Sequence, residues 1–499
     1  MRICLVYPDV GGVEHYGARK FYHGLGYLSS VLKRAGHSTS LLYLQAEPTK
    51  AAFLQEVQAQ TAQVVAFTAT THQFPYAATC ALWIREALPG IRTVLGGTHA
   101  TLVPEQAVTH GGIDVVCVGE GEYPLLEYVG ALEAGLDVTG IRNLWLRTDE
   151  QRGLPGARLV RNPQRPLIQN LDELPHADRE LFDLAQILSK NDGWVDMMAG
   201  RGCPYGCSYC CNPGLRERSK GLGRYVRFRS VENVLDEIRL LAEHYPVKTL
   251  NFQDDVFTLD REWTLAFCQA YAAEFKFPFW INTRVERIHD EDMVVALAGA
   301  NCQGVRVGVE SGNEELRANI LKRRMSNDEI RDAFRLAGKH GLKVYTCNML
   351  GIPGETAAMI EETISLNREL QPADLQFSVF YPYPMTELHD TCVREGYIVE
   401  GQSLASYYER KSVLRLPTLT HEELEQGYDH FQDLKLELRM RRENPARHRV
   451  YQLLRWLLRG DAAKARSALR KLGMLRRALL PVPKAHETDR DSGAKAVGA

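Results

Sequence analysis

Short apolar runs alternate with amphipathic stretches along the first 135 residues of the chain. The runs that predict β-strands are residues 2–7, 40–44, 63–68, 93–96 and 115–118. Between them, apolar positions recur at helical spacing, as in residues 26–35 and 76–87. Strands that alternate with helices are typical of a parallel sheet covered on both faces. The pattern therefore predicts a doubly wound α/β domain over residues 1–135, with ligands bound beyond the carboxyl ends of its strands.

A second series of strands and helices follows over residues 188–400. Its predicted strands are residues 194–199, 249–253, 279–282, 304–308, 343–349 and 374–380. Six strand–helix units fit a partial barrel better than a second doubly wound sheet, although periodicity alone leaves both open. Between the two series, residues 136–187 are less periodic and rich in Pro, Arg and Asn, which predicts a surface linker.

The last hundred residues have a different pattern. Residues 401–480 are predicted to be helical and basic, and residues 481–499 are small and polar, which predicts a disordered tail. Residues 450–459 form an amphipathic, basic stretch. We expect this stretch to pack on the barrel with a solvated basic face, and peripheral contact with an anionic membrane is the alternative if the substrate is lipid-like.

Composition narrows the classes of function. The chain has 499 residues and a formal net charge of −2, and this balance argues against nucleic acid as a partner. No apolar run approaches the ~20 residues that cross a bilayer, and the first residues lack a signal-peptide pattern, so we expect a cytoplasmic protein. The 11 cysteines are an odd number without a secretion signal, which argues against a disulfide framework.

Three of the cysteines are grouped directly after the first strand of the second series. Cys203, Cys207 and Cys210 have the spacing C-x3-C-x2-C. A four-iron cluster normally takes four thiolates, so a loop that offers three leaves one iron open to a small chelating molecule. A zinc knuckle is the weaker alternative, because no second cysteine pair or Cys/His pair accompanies the motif. Cys211 follows Cys210 directly and is expected to point elsewhere.

With Tyr209 at the aromatic position before the third cysteine, this motif resembles the signature of the radical S-adenosylmethionine superfamily. The resemblance implies a [4Fe-4S] cluster on the three cysteines and S-adenosylmethionine on its open iron. It also implies that the reduced cluster passes one electron to the sulfonium, which releases a 5′-deoxyadenosyl radical that abstracts hydrogen from an unactivated carbon. A flavodoxin or ferredoxin would supply the electron.

Two glycine-containing segments resemble parts of that family that bind S-adenosylmethionine. Residues 308–312 read Gly-Val-Glu-Ser-Gly, which assigns a ribose or amine contact to Glu310, with Ser311 beside it. Residues 351–355 read Gly-Ile-Pro-Gly-Glu and resemble the segment that lies against the adenine, which assigns Gly351 and Gly354. The alternative for these glycines is that they only form turns.

Two polar residues at other strand ends are assigned by the same resemblance. Residues 251–255, Asn-Phe-Gln-Asp-Asp, occupy the position of the family's Gly-Gly-Glu segment, and Asp254 is assigned a polar contact to the methionine amine. Arg284 is expected to clamp a carboxylate, since guanidinium binds carboxylate bidentately. Taken alone, each of these residues could equally be part of a surface ion pair.

A doubly wound domain before a radical barrel resembles the cobalamin-binding radical enzymes, often described as class B radical methyltransferases. The resemblance covers residues 1 to about 400. It implies a Rossmann-like domain of the cobalamin-binding type, a partial (β/α)6 barrel and a helical C-terminal region. The cobalamin contacts that it implies lie at strand ends and are Thr68, Thr70, Gly96, Gly97, His99, Gly119, Glu120 and Gly121.

The cobalt ligand is a point of departure from other cobalamin proteins. Many of them carry Asp-x-His-x-x-Gly, whose histidine binds cobalt, and this motif is absent from the sequence. We therefore expect cobalamin to bind with no protein histidine on cobalt. A domain that binds no cobalamin stays the alternative.

The family resemblance implies cobalamin-dependent radical methylation of an unactivated centre in a small-molecule or lipid-like substrate. A cobalamin-dependent radical cyclase or rearrangement enzyme is the second hypothesis, and a sensor based on cobalamin or the cluster is the third. Radical methylthiolation is disfavoured. That family carries three further grouped cysteines in its N-terminal domain, whereas Cys4, Cys80 and Cys117 are widely separated here.

Overall fold

The structure, a computed structural model, describes residues 1–12, 17–147, 159–399, 401, 410–458 and 462–471. The chain divides into two compact units, Met1–Phe431 and Gln432–Ala499. Within the described ranges, no helix is both long and apolar enough to cross a membrane. The predicted disordered tail, residues 481–499, lies outside the described residues.

The first unit begins with a doubly wound sheet, as predicted. Its five parallel strands are β1 (Arg2–Pro8), β2 (Ser38–Leu44), β3 (Val64–Thr68), β4 (Arg92–Gly96) and β5 (Val115–Cys117), in the spatial order β2-β1-β3-β4-β5. The helices that cover it are α1 (His23–Arg34), α2 (Lys50–Ala59), α3 (Phe74–Ala87), α4 (Thr98–Leu102), α5 (Pro104–Thr109) and α6 (Glu122–Glu133). Strands β1 and β3 are buried along almost their whole length, because helices pack on both faces.

The segment predicted as a surface linker is residues 136–187, and its described parts, residues 136–147 and 159–187, belong to this sheet and its core. It supplies β6 (Leu144–Arg147) and β7 (Leu159–Arg161), which extend the sheet beyond β5 in antiparallel pairing. Two short 3-10 helices, Leu171–Glu173 and Glu180–Phe182, follow, and then α7 (Leu184–Lys190). The buried apolar residues of this segment fall in short groups of irregular spacing, such as Leu144 with Leu146 and Leu167 with Ile168, so they form no long periodic run that sequence analysis could detect.

The second sheet of this unit is a six-stranded parallel half-barrel, which confirms the predicted fold. Its strands are β8 (Trp194–Met197), β11 (Thr249–Phe252), β12 (Phe279–Thr283), β13 (Cys302–Glu310), β14 (Lys343–Leu350) and β15 (Asp374–Val379), which lie side by side in sequence order. A short antiparallel pair of β9 (Gly200–Arg201) and β10 (Arg227–Phe228) follows β8. The helices are α8 (Asn212–Arg218), α9 (Val231–His244), α10 (Arg261–Glu274), α11 (Val285–Ile288), α12 (Glu291–Gly299), α13 (Asn327–Lys339), α14 (Ala357–Leu370) and α15 (Glu387–Arg394).

The C-terminal part is helical, as the basic pattern predicts. Its helices are α16 (His421–Glu443), α17 (Pro445–Leu457) and α18 (Ala462–Lys471). In the second unit, buried Leu436, Met440, Tyr451 and Leu469 form a small core. Trp456 stands out because 76% of its surface is exposed.

A buried ion cluster ties the segment after β7 to the half-barrel. Glu237 on α9 accepts hydrogen bonds from Arg179 (2.8 Å) and Arg229 (2.5 Å), and all three side chains are buried. Burial opposes ionisation, but the guanidinium groups of Arg229 and Arg179 hold the pKa of Glu237 well below its usual range. Arg179 also lies 4.1 Å above the ring of Phe21 in the first domain. One carboxylate therefore fixes two cations that join the two sheets.

We expect Glu237→Gln to lower the free energy of unfolding by roughly 3–5 kcal/mol, because it leaves two buried cations without a counter-charge. Denaturant unfolding at neutral pH measures the change. Glu232→Gln is the matched control on the same helix: its partner Arg239 is exposed, and the expected change is within about 0.5 kcal/mol. Because folding depresses the pKa of Glu237, its contribution is present at neutral pH and is lost as pH falls below the unfolded value of about 4.3. Equal effects of the two substitutions would contradict the assignment.

Candidate active site

One large cavity lies between the carboxyl ends of the first sheet and the interior of the half-barrel. Its volume is about 950 Å³. Ligand sites in proteins are typically ~300–1,000 Å³, so this cavity lies at the upper end of that range. Six of the eight residues assigned to cobalamin line it, and these are Thr68, Gly96, Gly97, Gly119, Glu120 and Gly121.

The three motif cysteines lie on the loop between β9 and α8, directly after Arg201, which lines this cavity. Their thiols are near enough to interact electrostatically, and burial raises the pKa of Cys203 to about 11. Among the described residues, no three His, Cys, Asp or Glu side chains converge at the distance of a single metal ion. A [4Fe-4S] cube takes each thiolate on a different iron, so its ligands need not converge on one point.

Arg284, predicted as a carboxylate clamp, lies against the cysteine loop instead. Its Nη1 donates to the sulfur of Cys207 at 3.4 Å, and its Nη2 donates to Glu286 at 2.5 Å. The guanidinium also stacks 3.8 Å above the ring of Tyr205. Its Nε is buried without a partner. A cation with an unused N–H beside the thiols fits a thiolate-ligated cluster, because positive charge stabilises thiolates.

Cys211 does not point elsewhere, contrary to expectation. Its thiol lies near enough to that of Cys210 to interact with it, and this interaction is the first cause that lowers the pKa of Cys210 to about 7. The backbone amide of Asn212 lies 3.5 Å from the same sulfur. The loop therefore turns tightly enough after Cys210 to bring neighbouring thiols together, which residue spacing alone did not reveal.

Of the two adjacent aspartates after β11, the structure presents Asp255 rather than Asp254 to the cluster loop. The Asp254 carboxylate is buried and accepts from the amides of Ala199 (3.1 Å) and Gly200 (2.6 Å), and burial raises its pKa to about 7. Asp254 thus holds the backbone that leads into the loop. Asp255 is exposed and its charge acts on Cys203 and Cys210.

Glu310 and the motif tyrosine meet at the end of β13. The Tyr209 hydroxyl donates to Glu310 at 2.9 Å, and Arg323 lies 3.7 Å from the same carboxylate. Glu310 has a φ of 67°, a strained value for a residue with a side chain, so the strand end is bent to aim the carboxylate at the loop. Ser311 is fully buried and its hydroxyl accepts from the amide of Asn313, which closes a turn rather than facing a ligand.

The segment of residues 351–355 folds back on its own glutamate. Glu355 accepts from the amides of Gly351 (2.6 Å) and Ile352 (3.2 Å). Its carboxyl group is fully buried, which raises its pKa to about 8. Gly351 has a φ of 74°, which favours glycine, and Gly354 has open space above its Cα. The segment is a tight turn in which only Gly354 is exposed.

The carboxylates at the end of β5 bind arginines of the half-barrel. Glu120 accepts from Arg201 and Arg227, both at 2.9 Å, and Glu122 accepts from Arg201 at 2.6 Å. The second oxygen of Glu120 accepts from the amide of Ile168. Glu120 was assigned to cobalamin because of its strand-end position, but its carboxylate joins the first domain to the residue that precedes the cysteine loop.

The paired glycines after β4 have different roles. A Cβ on Gly97 would meet the Thr68 hydroxyl at 2.7 Å and the Ala69 amide at 2.8 Å, and its φ is 92°. Only glycine therefore fits there without displacing backbone. A Cβ on Gly96 would make only ordinary contacts, the nearest at 3.9 Å, and Gly96 lines the cavity. Gly96 is thus the position where a larger side chain would fill the cavity and leave the fold intact.

Thr70 and His99 do not line the cavity, unlike the other residues assigned to cobalamin. The Thr70 amide donates to Gln73 at the start of α3. His99 is buried, stacks on Phe74 at 4.1 Å and lies 3.4 Å from the hydroxyl of Thr71. Burial lowers the pKa of His99 to about 4, so its imidazole is a neutral core group.

Two family models match the chain at the places where the fold leads one to expect them. The model described as the radical SAM superfamily matches residues 197–366, and the model described as the B12 binding domain matches residues 20–129. This chain is a radical S-adenosylmethionine enzyme with a cobalamin-binding domain. The cofactors of such an enzyme are a [4Fe-4S] cluster, S-adenosylmethionine and cobalamin.

Curated relatives of this radical S-adenosylmethionine enzyme span most of its length. An uncharacterized methyltransferase of Pyrococcus horikoshii is 29% identical over 404 residues, which are 80% of this chain and 84% of that protein. The anaerobic magnesium-protoporphyrin IX monomethyl ester cyclase of Rubrivivax gelatinosus is 25% identical over 78% of this chain and 69% of its own.

Two solved structures share the fold of this radical S-adenosylmethionine enzyme. The cobalamin-dependent S-adenosylmethionine radical enzyme OxsB, with aqua-cobalamin and S-adenosylmethionine bound, has a TM-score of 0.67 and 16% identity and covers 95% of this chain and 75% of its own. The radical S-adenosylmethionine methyltransferase TsrM of Kitasatospora setae, with cobalamin and a [4Fe-4S] cluster bound, has a TM-score of 0.61 and 19% identity. The match covers 79% of this chain and 75% of TsrM. At these identities the likeness concerns the fold. The assignment of individual residues rests on the geometry above.

We expect Asp255→Asn to weaken S-adenosylmethionine binding about tenfold or more, because a carboxylate at the cluster loop loses a charged hydrogen bond. Anaerobic calorimetry on cluster-reconstituted protein measures the affinity. Asp254→Asn is the neighbouring comparison, and we expect it to lower the cluster content and the midpoint of unfolding, because it removes the acceptor for two buried amides. If Asp254→Asn affected only the affinity and Asp255→Asn only the stability, their roles would be reversed.

We expect Gly96→Phe to exclude cobalamin from the cavity while leaving the cluster in place. The ring starts in open space and extends into the volume that the corrin would need. Cobalamin retained after desalting is read from its visible spectrum, and iron and sulfide are quantified in the same sample. Gly90→Phe, at a position with no neighbour within 4 Å of its Cβ, serves as the control. Full retention of cobalamin by Gly96→Phe would rule out this location.

Proposed function

We propose that this enzyme methylates an unactivated centre of a small-molecule substrate by cobalamin-dependent radical chemistry. The observation that carries the proposal is the single cavity, which is lined both by the strand-end glycines of the cobalamin-binding domain and by inward-facing residues of the half-barrel. Methyl transfer needs the methyl carrier and the substrate radical in one enclosed space. The methyltransferase named among the relatives supports the same reaction class.

When bound, the cluster and S-adenosylmethionine supply the hydrogen-abstracting radical, and cobalamin supplies the methyl group. The protein's own contribution is positioning. Cys203, Cys207 and Cys210 hold the cluster, and Asp255 and Glu310 orient the S-adenosylmethionine amine or ribose. The half-barrel walls exclude water, which would otherwise quench a reactive intermediate.

A radical cyclase is the second candidate function. It is supported by the relative from Rubrivivax gelatinosus, which is named as a cyclase and aligns with 78% of this chain. The two candidates differ in the fate of S-adenosylmethionine, because methyl transfer also forms S-adenosylhomocysteine.

We further propose that a flavodoxin or ferredoxin reduces the cluster and that the enzyme acts in the cytoplasm.

Peripheral membrane contact through the C-terminal helices is a separate proposal. It is supported by the exposed Leu453, Trp456 and Leu457 on α17, with Arg449 exposed on the same helix.

We expect Cys207→Ala to abolish both the cluster absorbance and S-adenosylmethionine cleavage, because one of the three iron ligands is lost. Cys211→Ala is the matched control, since it removes the adjacent thiol and keeps all three ligands. Anaerobic reactions with cobalamin and a chemical reductant are followed for 5′-deoxyadenosine and S-adenosylhomocysteine. Both products from the wild-type enzyme support methyl transfer, and 5′-deoxyadenosine alone would favour the cyclase. Cluster and cleavage retained in Cys207→Ala would contradict the ligand set.

A further inference from the structure

The floor of the cavity lies inside the half-barrel. It is formed by inward-facing residues to which no cofactor contact has been assigned. Side chains alternate along β13, so that Val305 and Val307 are buried against helices and Arg306 faces the cavity. Trp280 lies beside it, because Gly304 has no side chain: a Cβ there would meet the indole ring at 2.6 Å. Trp194 packs 6.2 Å from Trp280 and continues this aromatic surface.

Arg306 is a cation without a carboxylate partner among the described residues. Its Nη1 donates to the side-chain oxygen of Asn251 at 2.7 Å, and its guanidinium lies 5.3 Å from the ring of Trp280. Burial lowers the pKa of Arg306, which reflects a charge that is removed from water and poorly compensated. By contrast, Arg201 at the mouth of the same cavity is paired with two carboxylates.

Asp196 on β8 is the corresponding anion of the floor. Its Oδ1 accepts from Asn251 at 2.6 Å and from Gln253 at 2.9 Å, and the side chain lines the cavity. The amide of Asn251 therefore bridges the two charges, with its oxygen toward Arg306 and its nitrogen toward Asp196. A cation and an anion thus face the same space with one amide group between them, and neither forms an ion pair with the other.

This floor is separate from the predicted S-adenosylmethionine site. Arg306 precedes Glu310 by four residues on the same strand, which is roughly 13 Å at ~3.3 Å per residue. Glu310 contacts the cluster loop through Tyr209, whereas Arg306 donates to Asn251 in the floor. A group bound at Arg306 would therefore lie beneath the loop, deeper in the half-barrel.

We propose that the floor binds the zwitterionic end of the substrate, with an anionic group on Arg306 and an ammonium group on Asp196, as an α-amino acid or a similar dipolar molecule would offer. The proposal rests on the proposed function, because it names the substrate class of that enzyme. Guanidinium binds carboxylate through two parallel hydrogen bonds, and the nitrogen atoms of Arg306 that do not contact Asn251 supply them. The indole ring of Trp194, which lines the cavity, provides apolar contact for the rest of the molecule.

The test uses three probes of similar length: L-norleucine carries both charges, hexanoate only the anion and pentylamine only the cation. Binding to the holoenzyme, loaded with cluster, cobalamin and S-adenosylmethionine, is measured anaerobically by ligand-observed nuclear magnetic resonance. We expect L-norleucine to bind at least about tenfold more tightly than either single-charge probe. Arg306→Leu should weaken L-norleucine and hexanoate by about tenfold each, whereas Asp196→Asn should weaken L-norleucine and pentylamine but not hexanoate. Arg335→Leu, an exposed arginine on α13, is the control.

Similar affinity for the three probes, or no binding of L-norleucine at all, would overturn the proposal. It would also be overturned if Arg306→Leu lost affinity for S-adenosylmethionine or cobalamin, because Arg306 would then belong to a cofactor site. The proposed function is judged separately, by formation of 5′-deoxyadenosine and S-adenosylhomocysteine in the wild-type enzyme. Probe binding with neither product would contradict methylation and leave the zwitterion site standing.

Discussion

The position of the cysteine loop depends on one largely buried cluster of ion pairs between the two sheets. Arg201 stands two residues before Cys203 and is bound by Glu120 and Glu122 from the end of β5. On its other side, Asp254 holds the amide of Gly200. Charges buried in this way are favourable only while every partner is present, because an unpaired one is costly to remove from water. The distance between the cobalamin-binding edge and the cluster loop is therefore set by carboxylates rather than by flexible apolar contact.

The same arrangement explains how two domains of different topology enclose one cavity. The doubly wound sheet offers its carboxyl edge, where chain reversals and glycines leave backbone uncovered. The half-barrel offers the inner side of its strands, where alternation aims every second residue at the same space. The segment after β7 joins the two sheets, since its Arg179 contacts both Glu237 and the ring of Phe21. Neither sheet alone would exclude water from the cavity.

Much of the fold and the cysteine motif could be predicted from the sequence, because both are local signals. The parallel strands begin and end within a few residues of the apolar runs, and the ligand spacing is read directly from Cys203, Cys207 and Cys210. Roles that depend on the direction in which a side chain points could not be predicted. Asp254 and Asp255 are chemically identical, and only the turn after β11 decides which of them is buried. Glu120 was correctly placed at a strand end, but its partners Arg201 and Arg227 are about 80 and 107 residues away in the chain. His99 likewise follows a strand-end glycine and yet turns into the core.

The contact between Arg284 and Cys207 has a consequence for electron transfer. Adding an electron to an iron–sulfur cluster increases its negative charge, and hydrogen bonds and positive charge at the ligand sulfurs favour that state. If Cys207 binds the cluster as predicted, the buried guanidinium 3.4 Å from its sulfur, held in place by Glu286 and the ring of Tyr205, would shift the reduction potential upward. Arg284, which the sequence suggested as a carboxylate clamp for S-adenosylmethionine, would then help to bring a low-potential centre within reach of biological reductants.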